Sequence, residues 1–403
     1  MSPGFKRPAH RDGAPVRIGV AGTGFVAGHF IRELRHRADY ELACVLSRRD
    51  PAHATDVPGR ERMTDSVDAL IEASDVIVEC TGDVQRATDV VARAVEAGRP
   101  VVTLNPEFHV TTGSAFAGRG LLTEAEGDQP GCQAALWEDA VSMGFKPLVL
   151  GNMKGFLNRQ PTPEDMRYWA ERQGISLPMV TSFTDGTKLQ VEQALVGNFF
   201  GADIAREELI GPETDDLNQA AQLLGEAAET LGRPITDYVL SRTLPHGVFL
   251  VARHDEAQRD ALRYLKLGDG PHYVLIKNNI FVHLELFKTL RRVVEGGAVL
   301  LDNATTPRIG VAAVAKTPLA PGTAIERGCG SFELRGVCVR IAERPDHLPI
   351  GLADRLVVRR AVEPGQILTL DDVDLPPSTA LDLWCAIRDR STAAAPRAMA
   401  ETV

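Results

Sequence analysis

The stretch VRIGVAGTGFVAGHFIREL, residues 16–34, constrains this chain more than any other. A short apolar run meets Gly22-Thr23-Gly24 and passes at once into a segment with apolar residues at helical spacing. A strand that turns so abruptly into a helix needs one glycine for the tight turn and a second where a ligand must approach the backbone. A small residue such as Ala27 then lets the helix pack closely on the strand. The free N–H groups and positive end of that helix suit a phosphate. Gly22, Thr23, Gly24, Phe25 and Val26 are therefore expected to hold the pyrophosphate of a dinucleotide. Glycine-rich turns occur in many loops; here it is the flanking strand, the helix and the next strand, ELACVLS, that give the turn its meaning.

The alternation continues through VDALIEASDVIVECTG and ATDVVARAVEAGRPVVTLN, which argues for a parallel sheet covered by helices on both faces. The expected fold is α/β: a Rossmann doubly wound sheet over residues 15–130, an α+β catalytic and oligomerisation domain over 131–310, and a small C-terminal β-clip domain over 311–390. The last helix of the middle domain is expected to return to the first, and residues 1–14 and 391–403 read as flexible tails. Within the middle domain LPMVTSFTDG reads as a strand running into a turn, GNMKGF as a loop, and KLQVEQALVGN as the helix that follows the turn. The C-terminal part is marked by two similar phrases, VAAVAKTPLAPGTAI and LVVRRAVEPGQILTLDDVDLP, each placing a Pro-Gly turn between short apolar runs. A length of 403 residues fits two or three domains.

Composition narrows the partners. The net charge of -10 has the wrong sign for a sequence-independent nucleic-acid binder, and no local basic stripe offsets it. No apolar run approaches the ~20 residues that span a bilayer, and the polar N-terminus has no signal-peptide core. The six cysteines are scattered without a CxxC pair, as expected of free thiols in a reducing cytoplasm. The expectation is a soluble cytoplasmic protein that meets neither nucleic acid nor membrane and forms a homodimer or homotetramer.

The second strand identifies the form of the nucleotide. An acid usually stands about 20 residues after the glycines to hold a ribose 2′-hydroxyl, whereas ELACVL ends in Ser47-Arg48-Arg49. A hydroxyl and two guanidiniums suit a 2′-phosphate, so NADP is expected over NAD; solvated loop arginines or stacking on adenine are the bland readings. Thr81-Gly82 and Asn105-Pro106-Glu107 follow later strands and are expected beside the nicotinamide.

A second group, Asn152, Lys154, Asp185, Lys188, Glu192 and Asn198, gathers ammonium and carboxylate groups around a turn that opens a helix. Lys188 and Glu192 are four residues apart and share a helical face, with Asp185 on the preceding turn. Such a set can polarise a carbonyl and move a proton. An ordinary surface ion pair with a helix cap is the plain alternative. His109, His246, His272 and His283 form no ligand pair at metal spacing and read as packed or hydrogen-bonded histidines.

The glycine turn, LNPEFHVTTG, EAEGDQPG, the Lys154 segment, FTDGTK with its helix, LPHGVFLVARHD, LKLGDGPHYVL, HLELFKTLRRVV and the two Pro-Gly phrases occur in an order that resembles homoserine-dehydrogenase-like oxidoreductases ending in an SAF domain. That group includes the type II 1-deoxy-D-xylulose 5-phosphate reductoisomerases and the D-apionate oxidoisomerases. The resemblance implies an NADP-dependent reductoisomerase or oxidoisomerase acting on a small polyhydroxy substrate, phosphorylated or not. Lys154, Asp185, Lys188 and Glu192 would surround that substrate. Asp185 or Glu192 would remove a hydroxyl proton while the two lysines steady the oxyanion. Magnesium or manganese could assist, with Asp128, Asp185 and Glu192 as hard oxygen donors. The chain departs from the reductoisomerase pattern at Glu126–Pro130 and in the short GNMKGF segment, both near the presumed substrate. Two other readings stay open: a homoserine-type dehydrogenase without rearrangement, and an idle NADP-binding scaffold whose SAF module binds carbohydrate.

Overall fold

The computed structural model describes residues 14–394, so the tail expected at the N-terminus lies, apart from Ala14, outside the described residues. The first half contains β1 (Val16–Ala21), α1 (Phe25–Leu34), β2 (Tyr40–Leu46), β3 (Met63–Thr64), α2 (Val67–Ala73), β4 (Val76–Glu79), α3 (Val84–Glu96), β5 (Val101–Thr103), α4 (Pro106–Thr111) and β6 (Leu122–Glu124). The six strands form one sheet in the order β3-β2-β1-β4-β5-β6, all neighbours parallel. This is the doubly wound arrangement expected from the alternation. The strand order reverses between β1 and β4, and it is beyond the carboxyl ends of strands at such a reversal that sheets of this kind take a ligand.

The second half runs α5 (Gln129–Ser142), β7 (Lys146–Lys154), α6 (Pro163–Gln173), α7 (Leu177–Thr184), α8 (Thr187–Phe200), α9 (Leu217–Leu231), β8 (Ile235–Leu240), β9 (Gly247–Arg253), α10 (Arg259–Tyr264), β10 (Tyr273–Lys277) and α11 (Leu286–Val294). Its mixed sheet has the order β10-β9-β7-β8. Side chains alternate faces along each strand, and the packing follows. Leu150, Val248 and Leu250 pack with Cys132, Leu136 and Val196 of α5 and α8, whereas Val149, Phe249 and Val251 pack with Ala220, Leu224 and Ala228 of α9. Helix α11 returns to the first half, where Leu286, Phe287, Leu290 and Val293 join Phe30, Ile31 and Val76 in one core.

LPMVTSFT is helix α7, not the expected strand. An apolar run this short does not distinguish strand from helix by periodicity. Ser176 at the cap position and Pro178 in the first turn are the helix-start pattern that settles it. GNMK is likewise not a loop: it is the end of β7, paired with β8 on one side and β9 on the other.

The C-terminal stretch forms β11 (Ile309–Ala315), β12 (Ala324–Ile325), β13 (Leu334–Arg340), β14 (Leu356–Val358), β15 (Val373–Asp374) and α12 (Thr379–Ala394). The short strands and Pro-Gly turns are as expected, but their core is continuous with the middle of the molecule. Val311, Ala313, Leu334 and Cys338 pack against Leu189, Val191 and Leu195 of α8. That helix is buried on every side from Leu189 to Asn198, as a helix enclosed between layers must be. Ser391–Ala394, expected in a tail, complete α12; residues 395–403 lie outside the described residues. Among the described residues the six cysteines are free, and no helix is long and apolar enough to cross a membrane.

Candidate active site

The nucleotide end is built at the switch point. Gly22 has φ +118, and a Cβ there would stand 2.6 Å from the Cys80 carbonyl oxygen after β4, so both conformation and space demand glycine. Gly24 is different: it caps α1 in an extended conformation, and a Cβ there would meet nothing within 4 Å. The open space in front of α1 and the half-exposed Phe25 beside it form the cradle a pyrophosphate needs, and the residues present fit a dinucleotide. Thr23 and Ser47 approach each other at 3.5 Å across the ends of β1 and β2. Arg48 is exposed and 3.8 Å from Asp83, while Arg49 is paired with Asp56.

Two of the groups expected beside the nicotinamide are otherwise engaged. Thr81 donates its hydroxyl to the buried Glu79 carboxylate and Asn105 caps α4 by accepting from the Phe108 N–H, whereas Gly82 (φ +61) has open space around it. Glu107, on the first turn of α4, faces Lys188 at 3.7 Å and so belongs to the second group of residues.

That group converges around α8. Lys188 and Glu192, one turn apart, approach to 4.0 Å. Asn152 and Lys154 lie two apart on β7 and therefore share the face that looks toward α8. The Asn152 side-chain amide donates to Glu192 Oε2 at 3.0 Å, and the Lys154 ammonium stands 5.7 Å over the Phe183 ring. Burial pushes the Glu192 carboxyl up to about 7, against the pull of Lys188 and Lys154. Burial likewise pulls Lys154 down. It would pull Lys188 down too, but Glu107, Glu192, Asp128 and Glu124 outweigh it and hold that ammonium above its ordinary range.

Beside Lys188 lies a set of groups in which Glu124 is the member that the sequence pattern did not single out. Glu124 ends β6, Asp128 precedes α5 and His109 sits on α4. His109 Nε2 is 3.4 Å from Glu124 Oε2, and both side chains are wholly buried. Burial raises both carboxyls, Glu124 strongly, and lowers His109 to about 3. Burial therefore works against the charged form of each of the three, and among the described residues both Glu124 oxygens, Asp128 Oδ1 and both His109 ring nitrogens are buried without a hydrogen-bond partner. Burial, then Glu79, Glu124 and Asp128, push up the thiol of Cys80, the residue whose carbonyl backs the Gly22 turn. The acid group thus lies at the same sheet edge as the glycine turn. The one signal in the sequence was an acid closing a strand: Glu79 after VIV and Glu124 after LT.

Asp185 does not stand with Glu192 as a free base. Its Oδ1 accepts from the Thr187 N–H at 2.8 Å, and its Oδ2 receives the Lys316 ammonium at 2.5 Å. Asn198, further along α8, accepts from the Arg308 and Ile309 N–H groups and holds the chain entering β11. Nor do Asp128, Asp185 and Glu192 gather as metal ligands: Asp185 is taken by Lys316, and among the described residues no group of three or more acids, histidines or cysteines is placed to hold an ion. Of the other histidines, His272 is bonded to Glu229, His283 stacks on His29 and His246 lies beside Gly155.

Comparison with known proteins matches two separate stretches of the chain. Residues 22–115 match the family model of the homoserine dehydrogenase NAD-binding domain, and residues 127–286 match that of the catalytic domain of oxidoreductase DRL. The chain therefore carries a nicotinamide-nucleotide domain followed by an oxidoreductase catalytic domain, and Lys154, Asp185, Lys188 and Glu192 lie inside the second match. A search of curated protein sequences returned no match. Among solved structures, the UDP-N-acetylglucosamine 3-dehydrogenase of Acidithiobacillus ferrooxidans is 14% identical, with 72% of this chain and 92% of that one covered at a TM-score of 0.42. The biliverdin reductase of Synechocystis sp. PCC 6803, solved with biliverdin and NADP+, is 14% identical, with 72% and 94% covered at a TM-score of 0.40. An oxidoreductase from Thermotoga maritima is 15% identical, with 72% and 91% covered at a TM-score of 0.38. Similarity at this level assigns no substrate.

Proposed function

We propose that this NAD(P)-dependent oxidoreductase prefers NADP and acts on a small polyhydroxy carbonyl compound, with Lys188 and Glu192 as the groups that meet the reacting oxygens. The observation that carries the reading is the state of Glu192. It is a buried carboxyl poised at about 7, bonded to Asn152 and within reach of Lys188, on a helix that packs against the nucleotide-binding half through α4. A base tuned to the working pH is what proton transfer to or from a hydroxyl requires.

A nicotinamide bound through Gly22, Thr23 and Gly24 supplies or accepts the hydride. The residues of this chain do the rest. Lys188, kept charged by four neighbouring acids, stabilises the oxygen that gains negative charge. Glu192 takes the hydroxyl proton as a carbonyl forms and returns it in reverse. Asn152 fixes the orientation of that carboxylate, and Lys154, over the Phe183 ring, is a second cation acting on it. Removing a proton from the hydroxyl on the carbon next to a carbonyl also starts bond migration, and removing it from the hydroxyl one carbon further starts a retro-aldol/aldol exchange. Two cations around one base support the finer reading, in which hydride transfer is coupled to rearrangement of a ketose phosphate or a branched sugar acid.

The test is turnover of NADPH and NADP+ by the purified protein with ketose phosphates, branched sugar acids and amino-acid alcohols, followed by carbon NMR of the product. A changed carbon skeleton is expected. An unchanged skeleton with an amino-acid alcohol as substrate would replace the finer reading with a homoserine-type dehydrogenase. Lys188→Ala should abolish turnover and leave NADPH affinity nearly intact; undiminished turnover would overturn the site.

A further inference from the structure

We propose that Lys316, in the C-terminal region, is a positioning residue of the active site: through Asp185 it holds the turn from which Lys188 is presented. The inference rests on the reading that Lys188 and Glu192 meet the substrate, and it concerns a residue outside both matched family regions.

The geometry is a short chain of direct contacts. Lys316 follows the last residue of β11, and its ammonium is 2.5 Å from Asp185 Oδ2 and 2.6 Å from the Ser331 carbonyl oxygen. The two side chains are 2% and 0% exposed. The other oxygen of Asp185 accepts from the N–H of Thr187, the first residue of α8 and the one before Lys188. The Thr187 hydroxyl accepts in turn from the Gly336 N–H at 2.9 Å on β13. The opening of α8 is therefore held from two sides by a segment more than a hundred residues away in sequence.

A buried ion pair is a poor way to gain stability, because removing two charges from water offsets most of their attraction. An apolar contact would hold the fold as well. What an apolar contact does not do is aim a carboxylate oxygen at one backbone N–H. Position is what matters at Lys188, since a displacement of about 1 Å at a reacting group can lower a rate about 100-fold. Gly186, which precedes α8 with φ +88, has no side chain to stiffen the turn. The Asp185–Lys316 contact supplies that stiffness.

The test compares Lys316→Met, Asp185→Asn and the double variant by kcat, NADPH affinity and the pH dependence of kcat. The groups facing Glu192 are Lys188 on its own helix, Asn152 and Lys154 on β7, Asp128 before α5 and Glu107 on α4. If Lys188 drifts from Glu192, the carboxyl loses a cation and the limb near pH 7 moves upward. Each single variant should lower kcat about tenfold or more, leave NADPH affinity within about twofold, and move that limb up. The double variant should be no worse than either single one, because both act through the same contact. It also leaves no unpaired buried charge, so it remains measurable if Lys316→Met alone fails to fold. A folded variant with lowered thermal stability but unchanged kcat and limb would make the pair purely structural and overturn the inference. Full activity in Lys188→Ala would instead remove the reading beneath it.

Discussion

The Lys188 ammonium stands 3.7 Å from the Glu107 carboxylate, and this contact joins the nucleotide-binding half of the molecule to the helix that carries the candidate base. Glu107 sits on the first turn of α4, directly after β5, so it is placed by the parallel sheet. Lys188 is placed by α8. Hydride transfer and proton transfer must occur within one substrate's reach, and this ion pair is a direct contact between the two halves.

Glu107→Gln removes the acid nearest to Lys188 while keeping its shape. The ammonium then loses part of what offsets its burial, and stabilisation of a developing oxyanion becomes less dependable. We expect kcat to fall about tenfold, about 1.4 kcal/mol of barrier, with NADPH affinity nearly unchanged. Steady-state kinetics with fluorescence titration of the nucleotide check both parts.

Glu192 gives a pH signature. With its carboxyl at about 7, oxidation of an alcohol should accelerate as pH rises through that value, because the ionised form is the base. Glu192→Gln should remove the limb along with most of the rate. If the limb persists in that variant, another group titrates there and Glu192 is not the base.

Gly22→Ala and Gly24→Ala separate strain from access. The first puts a methyl 2.6 Å from the Cys80 oxygen at φ +118 and should lower both the melting temperature and nucleotide affinity. Strain at such a position costs roughly 1–3 kcal/mol. The second adds a methyl into open space at φ -76. It should leave the melting temperature within a degree or so while weakening the nucleotide, since only the ligand is obstructed.

Buried His109 makes the fold sensitive to acid. Its folded-state pKa of about 3 lies below the ordinary 6.5, so the unfolded chain binds the proton more readily. The stability associated with keeping it neutral is present above about pH 6.5 and is lost as pH falls toward 3, by up to about 1.4 kcal/mol per pH unit. His109→Gln should flatten that slope in urea titrations between pH 6.5 and 4; an unchanged slope would assign the acid sensitivity elsewhere.

Arg48 and Arg49 test the choice of nucleotide. Both are exposed at the end of β2, and Arg49 is tied to Asp56. Replacing both with alanine should weaken NADP more than NAD, narrowing the ratio of the two affinities about tenfold or more. Equal losses for both nucleotides would mean the pair meets adenine or solvent, not a 2′-phosphate.

What could be read along the chain was what neighbouring residues settle among themselves. The strand–glycine–helix unit at Gly22, the parallel alternation after it, and the shared face of Lys188 and Glu192 depend on conformations a few residues wide, and a linear pattern records those. The identity of Leu177–Thr184 as a helix was marginal at that level, since eight apolar and hydroxyl residues satisfy either period and only the cap and the proline distinguish them. The capture of Asp185 by Lys316, the meeting of Glu107 with Lys188 and the burial of Glu124 against His109 were decided by the folded molecule alone. Each joins strand ends or turns that only sheet order and the enclosure of α8 bring together. Their protonation states depend on the water that enclosure removes, a property that no residue carries by itself.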